Sequence, residues 1–591
     1  MELEDLFWAS VLIASLISVI LHVTGIEGLD SLLLLLLIVM ISSYTAWEVL
    51  HERKAELEHV INLLMVGVGG LTYWLDLHLE GTLLLGMFGL AEILEHVAME
   101  RAESGLKELM EYLPRKAKVE RDGSLLEVGF DSIRKGDLVV VARGERVPVD
   151  GLVVRGKGHL DQSVVTGEPL PVRVEMGSYV HSGSLLVEGS LVIRALRVGK
   201  EAFISRILAM VEEFKGRKSS GERLVQRFSK YYLPSMLALS ALAWALLGVR
   251  ASIVLVAVAC PSAFLVAAPA TTLTSLAVAA RRGVLFKGSA PVEMAAKVRA
   301  VAIDKTGTLT LGRLVVRELH MDVEDFRLLA SLELASQHPV ARALVEEAKR
   351  RGLKLSIPEE VEEVPGEGIR GLVDGAEVVA GKASFVGVEE VTSGGVVVHA
   401  SVGGRHGYVS LGDEVNPLAK EVIGRLKEMG LRVAMLTGDR EENARPVAVG
   451  LGIHELYADL SPEGKVEIVK RLKEFGYVAM VGDGINDAPA LAAADLGVAV
   501  GSLEASIEAG DVALVSGISS LPWLFRASRS VVSTFWSNMA FVGTFKAVAA
   551  LLGVIGYIPL WAAVALGDDG GLLLVMVNLV RLARETLRES G

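Results

Sequence analysis

Two stretches near the start of this 591-residue chain, Leu6 to Val23 and Leu32 to Trp47, contain no Asp, Glu, Lys or Arg. Each is close to the length needed to cross the hydrocarbon core of a bilayer. In lipid every backbone N–H and C=O must be satisfied within the protein, so such runs are expected to be helices. Further runs follow at Val60 to Leu75, Thr82 to Ala98, Tyr231 to Val249, Ile253 to Ala280, Ser530 to Tyr557 and Leu560 to Val580, which makes eight expected spans. Arg53 and Lys54 follow the second run, whereas the link Gly25 to Asp30 has no Lys or Arg. The positive-inside rule therefore assigns both termini to the cytoplasm. The acidic start, with no small-residue cleavage site, argues against a cleaved signal peptide.

Membrane helices are only part of the chain. Hydrophobic residues make up 51%, yet charged residues reach 22%, so sizeable aqueous domains must alternate with the spans. The net charge of −13 argues against a nucleic-acid binder, which would show a basic face. A single cysteine excludes an intramolecular disulfide framework and a Cys-x-x-Cys metal domain.

Chemistry is concentrated between the spans. Val298-Arg-Ala-Val-Ala-Ile-Asp304 is an apolar run of strand length that ends on an aspartate, followed by Lys305-Thr-Gly-Thr. In an open parallel sheet the loop beyond a strand's carboxyl end is where ligands bind, and an aspartate there is suited to act as a nucleophile on a phosphoryl group. Met435-Leu-Thr-Gly-Asp-Arg440 is a second strand edge, with Thr437 and Asp439 placed for phosphate or backbone contacts. Ser461-Pro-Glu-Gly-Lys465 opens a helix whose lysine can reach a phosphate. A third strand, Val478 to Gly482, ends on Asp483, with Asn486 and Asp487 just beyond. Carboxylates converging on a phosphorylated aspartate suit Mg²⁺.

In order and wording these segments resemble the phosphorylation domain of P-type ATPases, a haloacid-dehalogenase-like α/β fold. The resemblance implies that Asp304 is the phosphorylated nucleophile, assisted by Lys305, Thr306, Thr437, Asp439, Lys465, Asp483, Asn486 and Asp487, with Mg²⁺ held by Asp304, Thr306 and Asp483. Residues from about 115 to 200 alternate short β-branched runs with Gly, Pro and Asp turns, the pattern of a mostly β domain. Within them Asp161-Gln-Ser-Val-Val-Thr-Gly-Glu-Pro169 resembles the actuator loop of the family. Thr166, Gly167 and Glu168 are then implied to be catalytic, Glu168 by positioning the water that hydrolyses the aspartyl phosphate.

The insertion between Asp304 and Thr437 carries Glu333 and the word Ser336-Gln-His338-Pro339. That word resembles the nucleotide-binding domain of the heavy-metal branch, which implies an ATP site at Glu333, His338, Pro339, Gly366 and Gly368. Gly366-Glu-Gly-Ile-Arg-Gly371 satisfies a dinucleotide pattern formally, but strand-like sequence follows it instead of a helix, so a Rossmann reading is rejected. Gly381-Lys382 lacks the spacing of a P-loop.

Within the spans, Ala259-Cys-Pro-Ser-Ala263 breaks a helix, because proline removes a donor and frees a carbonyl. Lys546 and the pair Asp568-Asp569 lie in apolar surroundings, where a charge costs at least ~2.5 kcal/mol and needs a partner or a function. Glu92 and Glu95 suit either an ion entrance or a solvated helix face. Two spans before the usual six, Cys-Pro-x and Ser-x-His-Pro together resemble the type IB, heavy-metal-transporting P-type ATPases over essentially the whole chain. Asn538, Lys546 and the acidic word of the last span are similar to the zinc/cadmium/lead exporters. This implies a transported ion bound by Cys260, Asp568 and Asp569, with Lys546 as counter-ion. Ser262 replaces the usual second thiol, Ser42-Ser43 stands where a double glycine is usual, and no terminal metal-binding domain is expected. The register leaves open which of Asp568 and Asp569 is the ligand, and Gly-Asp-Asp-Gly-Gly also partly resembles the motif of a cobalt-type branch.

The expected architecture is thus a multidomain membrane protein. Four helices occupy 1–113, a mostly β actuator domain 114–225, two helices 226–282, the phosphorylation domain 283–311 and 411–527, an α+β nucleotide-binding insertion 312–410, and two helices 528–591. The expected function is ATP-driven export of a divalent transition metal, Zn²⁺ first and Co²⁺ or Cd²⁺ next. ATP and Mg²⁺ are the implied cofactors, with lipid around the spans and no obligate protein partner. The alternatives are a membrane-anchored phosphatase that transports nothing and a pump for Cu⁺ or K⁺.

Overall fold

In the computed structural model the described residues are 3–24, 29–52, 57–110, 116–121, 124–162, 171–202, 205, 219–391, 395–483, 487–501, 510–515 and 517–588. Met1–Ala296 with Arg526–Gly591 forms one compact unit and Lys297–Phe525 another.

In the first unit the charge-free runs fold as helices. Leu3–Val23, Leu29–Glu52, Leu57–Trp74 and His78–Met110 come first, and Ser220–Leu247, Val249–Val258, Ser262–Arg281, Leu521–Val554, Leu560–Val564 and Gly570–Arg588 follow. Among the described residues six helical stretches, not eight, are both long and apolar enough to span a membrane. The third expected span falls short because its apolar part covers only His59–Trp74. The fifth lies in Ser220–Leu247, whose first half is polar up to Lys230. One apolar cluster joins Trp8, Leu34 and Phe88 of the early helices to Val258 and Cys260, and to Ala549 and Val564 of the last two. Cys260 therefore lies in the shared core of the bundle.

The mostly β segment of this unit is an antiparallel sheet in the order Ser124–Gly129, Lys116–Arg121, Leu138–Ala142, Leu185–Arg197, Asp150–Asp161, Val172–Val174. Alternate residues such as Val139, Val141 and Ile193 point into its core, as the period of a strand requires.

The second unit contains two layered parts. One is a parallel sheet in the order Glu455–Tyr457, Arg432–Leu436, Val298–Asp304, Tyr477–Gly482, Leu496–Val500, Val512–Leu514. Counted along the chain this order is 3-2-1-4-5-6. The strand order reverses between Val298–Asp304 and Tyr477–Gly482, the crevice where such sheets bind ligands. Asp304 and Asp483 stand at the carboxyl ends of those two strands.

The other part is the insertion, an antiparallel sheet in the order Thr310–His320, Arg405–Val415, Val396–Val402, Ala376–Gly381, Gly368–Val373, Glu359–Val364. Helices Val323–Leu332 and Pro339–Arg350 pack on it around the fully buried Phe326 and Leu344. Thr310–His320 and Arg405–Val415 form a ribbon that enters and leaves the insertion, and Asn416 N–H donates to Leu309 O at its base at 2.9 Å. Gly366 lies in the turn of a hairpin, in keeping with the rejection of a dinucleotide fold.

Phe326 is completely buried under the insertion sheet. Phe326→Ala is expected to cost about 3–5 kcal/mol. Thermal unfolding should show a separate, earlier transition for the insertion, and limited proteolysis should cut within 321–410 first. An unchanged first transition would show that this core is not what holds the insertion together.

Candidate functional site

Asp304 ends the central strand and is 5% exposed. The chain turns at once: Thr306 N–H donates to Asp304 Oδ2 at 2.9 Å, and Gly307 adopts φ +74°, which a side chain would strain. A Cβ at Gly307 would lie 3.6 Å from Asp483 Oδ2, so the Asp304 loop passes directly beneath the Asp483 carboxylate.

Lys465 reaches in from the first turn of helix Pro462–Leu472, whose cap is Ser461. Its Nζ donates to Asp304 Oδ1 at 2.6 Å and to Asp487 Oδ1 at 2.7 Å. Asp487 is 1% exposed, and its Oδ2 is buried with no hydrogen-bond partner among the described residues. Gly482 is required here, because a Cβ would sit 2.3 Å from that oxygen. Burial and the Asp487 charge push the Asp304 carboxyl up to about 6, against the pull of Lys465 and Thr306 N–H. Burial also works against the Lys465 cation, but Asp304 and Asp487 outweigh it and raise its pKa. Hard oxygen donors at Asp304 and Asp483, with an unpartnered carboxylate oxygen beside them, fit the ligand preference of Mg²⁺.

Lys305 points away from Asp304, into the base of the insertion ribbon. It is 4% exposed and pairs with both Asp413 and Asp439. Burial opposes its charge, but the two carboxylates prevail and raise its pKa. Thr437, 1% exposed, accepts from Asp439 N–H at 3.1 Å and so fixes the second strand edge. Asp413 is a site residue that the sequence reading missed. It lies 108 residues from Lys305, on the strand returning from the insertion, and no local motif marks it. Lys305, Thr306, Asp413 and Asp439 line a cleft of about 830 Å³ between the parallel sheet and the ribbon, enough for a nucleotide's polyphosphate.

At the far end of the insertion, Glu333 is 6% exposed, and burial, with Glu363 nearby, pushes its carboxyl up to about 7. His338 caps helix Pro339–Arg350, its Nδ1 accepting from Val340 N–H at 3.3 Å, with Pro339 as the first helical residue. Ser336 Oγ donates to Glu363 at 3.0 Å, which ties this word to the strand leading to Gly366 and Gly368. Glu333, His338, Pro339 and the glycine hairpin thus share one end of the insertion. Thr166, Gly167, Glu168 and Asn486 lie outside the described residues.

Within the spans, Cys260 and Pro261 separate helices Val249–Val258 and Ser262–Arg281, and Cys260 is 3% exposed. Val258 ends the helix before this break, and its carbonyl accepts from Lys546 Nζ at 3.4 Å. Lys546 also pairs with Asp568. Asp568 and Asp569 are 2% and 5% exposed, in a turn widened so that Gly570 N–H donates to Ala565 O, five residues back. Both carboxylate oxygens of Asp569 lack a hydrogen-bond partner among the described residues. Cys260 and Asp568 both lie within electrostatic range of Lys546. Among the described residues no three His, Cys, Asp or Glu side chains are gathered into a metal centre, so these residues share a region without converging. Asn538, fully buried, donates to Thr271 Oγ1 at 3.2 Å and accepts from Asn578 Nδ2 at 2.8 Å, linking three helices below the charged cluster.

Comparison with known proteins agrees with this geometry. Residues 298–495 match the family model described as haloacid dehalogenase-like hydrolase, and residues 111–212 that of the P-type ATPase actuator domain. The chain is 31% identical to the cadmium-transporting ATPase of Staphylococcus aureus over 95% of its own length and 82% of that protein's. It is 35% identical to the copper-exporting P-type ATPase of Legionella pneumophila over 84% and 73%. A crystal structure of a zinc-transporting PIB-type ATPase in an E2.Pi state superposes with a TM-score of 0.62 at 30% identity, covering 99% of this chain and 100% of that one. The chain belongs to the P-type ATPases, in their heavy-metal-transporting type IB branch, which couple ATP hydrolysis to metal transport.

Proposed function

We propose that this pump exports a divalent transition-metal ion, Zn²⁺ first, with Cd²⁺ and Co²⁺ as close alternatives, and that both termini lie in the cytoplasm. Relatives are named for cadmium and for copper and a solved neighbour for zinc, so similarity alone leaves the ion class open. The observation that carries the reading is the buried pair of carboxylates beside the broken helix. Lys546 balances Asp568 and lies within electrostatic range of Cys260, the only cysteine of the chain, while both Asp569 oxygens have no hydrogen-bond partner among the described residues. Cu⁺ prefers soft thiolates and thioethers, whereas Zn²⁺ accepts mixed sulfur and oxygen ligands. An arriving dication competes with the Lys546 ammonium for Asp568, so ion binding and release are coupled to movement of a charge already inside the protein.

In this reading ATP enters from the insertion, with its base end near Glu333, His338, Pro339, Gly366 and Gly368. An Asp304 oxygen attacks the γ-phosphorus; the new O–P bond forms as the bond to the bridging oxygen breaks and ADP leaves. Thr306 N–H holds the other carboxylate oxygen, and Lys465 offsets negative charge around the transferred group. Mg²⁺ held by Asp304, Thr306 and Asp483 would shield the phosphoryl oxygens. Lys305 anchors the loop to Asp413 and Asp439. Glu168 then directs the water that releases phosphate.

Three outcomes test the reading. Asp304→Asn should abolish acid-stable, hydroxylamine-sensitive labelling by γ-phosphate-labelled ATP while nucleotide binding persists; retained label would place the nucleophile elsewhere. The second concerns pH. A carboxyl held at about 6 keeps its proton below that value and cannot attack, so phosphoenzyme formation should fall as pH drops through about 6. Asp487→Asn removes the like charge and frees Lys465 for Asp304, so the acid limb should move to lower pH; an unmoved limb would show that another group sets it. The third concerns the ion. Zn²⁺, Cd²⁺ or Co²⁺ should stimulate ATPase activity, Cu⁺ should not, and Cys260→Ala or Asp569→Asn should each reduce stimulation at least tenfold, about 1.4 kcal/mol. Cu⁺-driven turnover that survives loss of both aspartates would defeat the assignment.

A further inference from the structure

The ends of helices His78–Met110 and Gly570–Arg588 that the positive-inside rule assigns to the cytoplasm enclose a groove of about 560 Å³. Its floor is a stripe on the last helix. Leu573, Val577 and Val580 recur at four- and three-residue spacing, and Leu573 and Val577 are 49% and 63% exposed. Arg584 continues the same stripe one turn further on, with Arg581 beside it, and Arg101 contributes the facing wall. Arg581 is held by Glu585 at 2.6 Å, and Arg584 has no ionic partner among the described residues. The described lining thus sets three guanidinium groups against one carboxylate at the mouth of an apolar channel.

That juxtaposition matches the two halves of one molecule. Acyl chain covers exposed Leu573 and Val577 at hydrocarbon depth, and a phosphodiester at headgroup depth accepts the fork of N–H donors that arginine presents. Basic pockets between spans on the cytoplasmic side are where anionic headgroups are recognised. A soluble anion would satisfy the arginines and leave the stripe unexplained; a neutral lipid would do the reverse.

We propose that the groove binds an anionic phospholipid. The bound lipid ties together two helices with different tasks. His78–Met110 leads into the β domain that starts at Lys116, and Gly570–Arg588 begins one residue after Asp569. Occupancy would therefore bear on how movement of the β domain reaches the ion carboxylates. This inference does not depend on which metal is carried.

The test uses the full chain in nanodiscs of mixed phosphatidylcholine and phosphatidylglycerol, with lipid retention read by native mass spectrometry after detergent release. Phosphatidylglycerol should be retained over phosphatidylcholine. Arg101→Gln/Arg581→Gln/Arg584→Gln should weaken that retention by about a hundredfold, at the usual contribution of one arginine at a membrane surface. Arg584→Glu alone, a single surface change, should weaken it by more than tenfold. Phosphoenzyme formation from ATP should persist in both. Metal-stimulated ATPase should rise with phosphatidylglycerol in the wild type and respond less in the variants. The proposal is overturned if the variants retain phosphatidylglycerol as the wild type does, or if Arg223→Gln/Arg227→Gln, on another helix, loses it equally. Displacement by soluble glycerol phosphate would overturn it too, by making the groove a simple anion site.

Discussion

Lys465 lies between two carboxylates that otherwise have little reason to share a dry crevice. Asp304 and Asp487 are both almost wholly buried, and each gives one oxygen to the same ammonium. Like unit charges ~4 Å apart repel by about 4 kcal/mol at an effective dielectric of ~20, and desolvation adds to the cost. A single cation placed by a helix cap makes the arrangement tolerable without removing the tension, which is why Asp304 holds its proton to about 6. The parallel sheet, the turn at Gly307 and the Cβ-free Gly482 leave room for these groups to meet. A site poised in this way is ready to accept anionic phosphate chemistry as soon as cations enter.

The membrane half repeats the solution with different parts. Lys546 sits between Asp568 and the Val258 carbonyl, at the end of the helix before Pro261. Isolated, any of these charges would be expelled to an interface. Lys546 and Asp568 offset one another, whereas both oxygens of the buried Asp569 have no hydrogen-bond partner among the described residues. The hydrogen-bonded Asn538, Thr271 and Asn578 fix the neighbouring turns of three helices, so the charged layer rests on a polar brace and not on apolar packing alone.

Lys305 has a comparable place at the base of the insertion. Its pairing with Asp413 and Asp439 links the Asp304 loop to the ribbon through which the insertion is attached. One strand of that ribbon leaves the parallel-sheet part and the other returns to it, so the two cores are joined through a single pair of strands.

Much was legible in the sequence because it is encoded over short distances. Charge-free runs long enough to cross a bilayer marked most of the spans, strand-length apolar runs ending on aspartates marked the carboxyl edge of a parallel sheet, and Ser461 before Pro462 marked the cap that delivers Lys465. The Cys260-Pro261 break also follows from local chemistry, since proline cannot donate the hydrogen bond. What required the tertiary structure were pairings between residues far apart in the chain. Nothing local distinguishes Asp413 from any strand-end acid until the ribbon folds back onto Lys305, 108 residues away. The same holds for Asp568 and Asp569. Their sequence environments are almost identical, and only the packing of two helices gives one of them the lysine and leaves the other's oxygens without a partner among the described residues. Hydrophobic period and proline chemistry act within a few residues, whereas the assignment of a counter-charge depends on which helix faces reach the same point in space, and that is decided by the packing of the whole bundle.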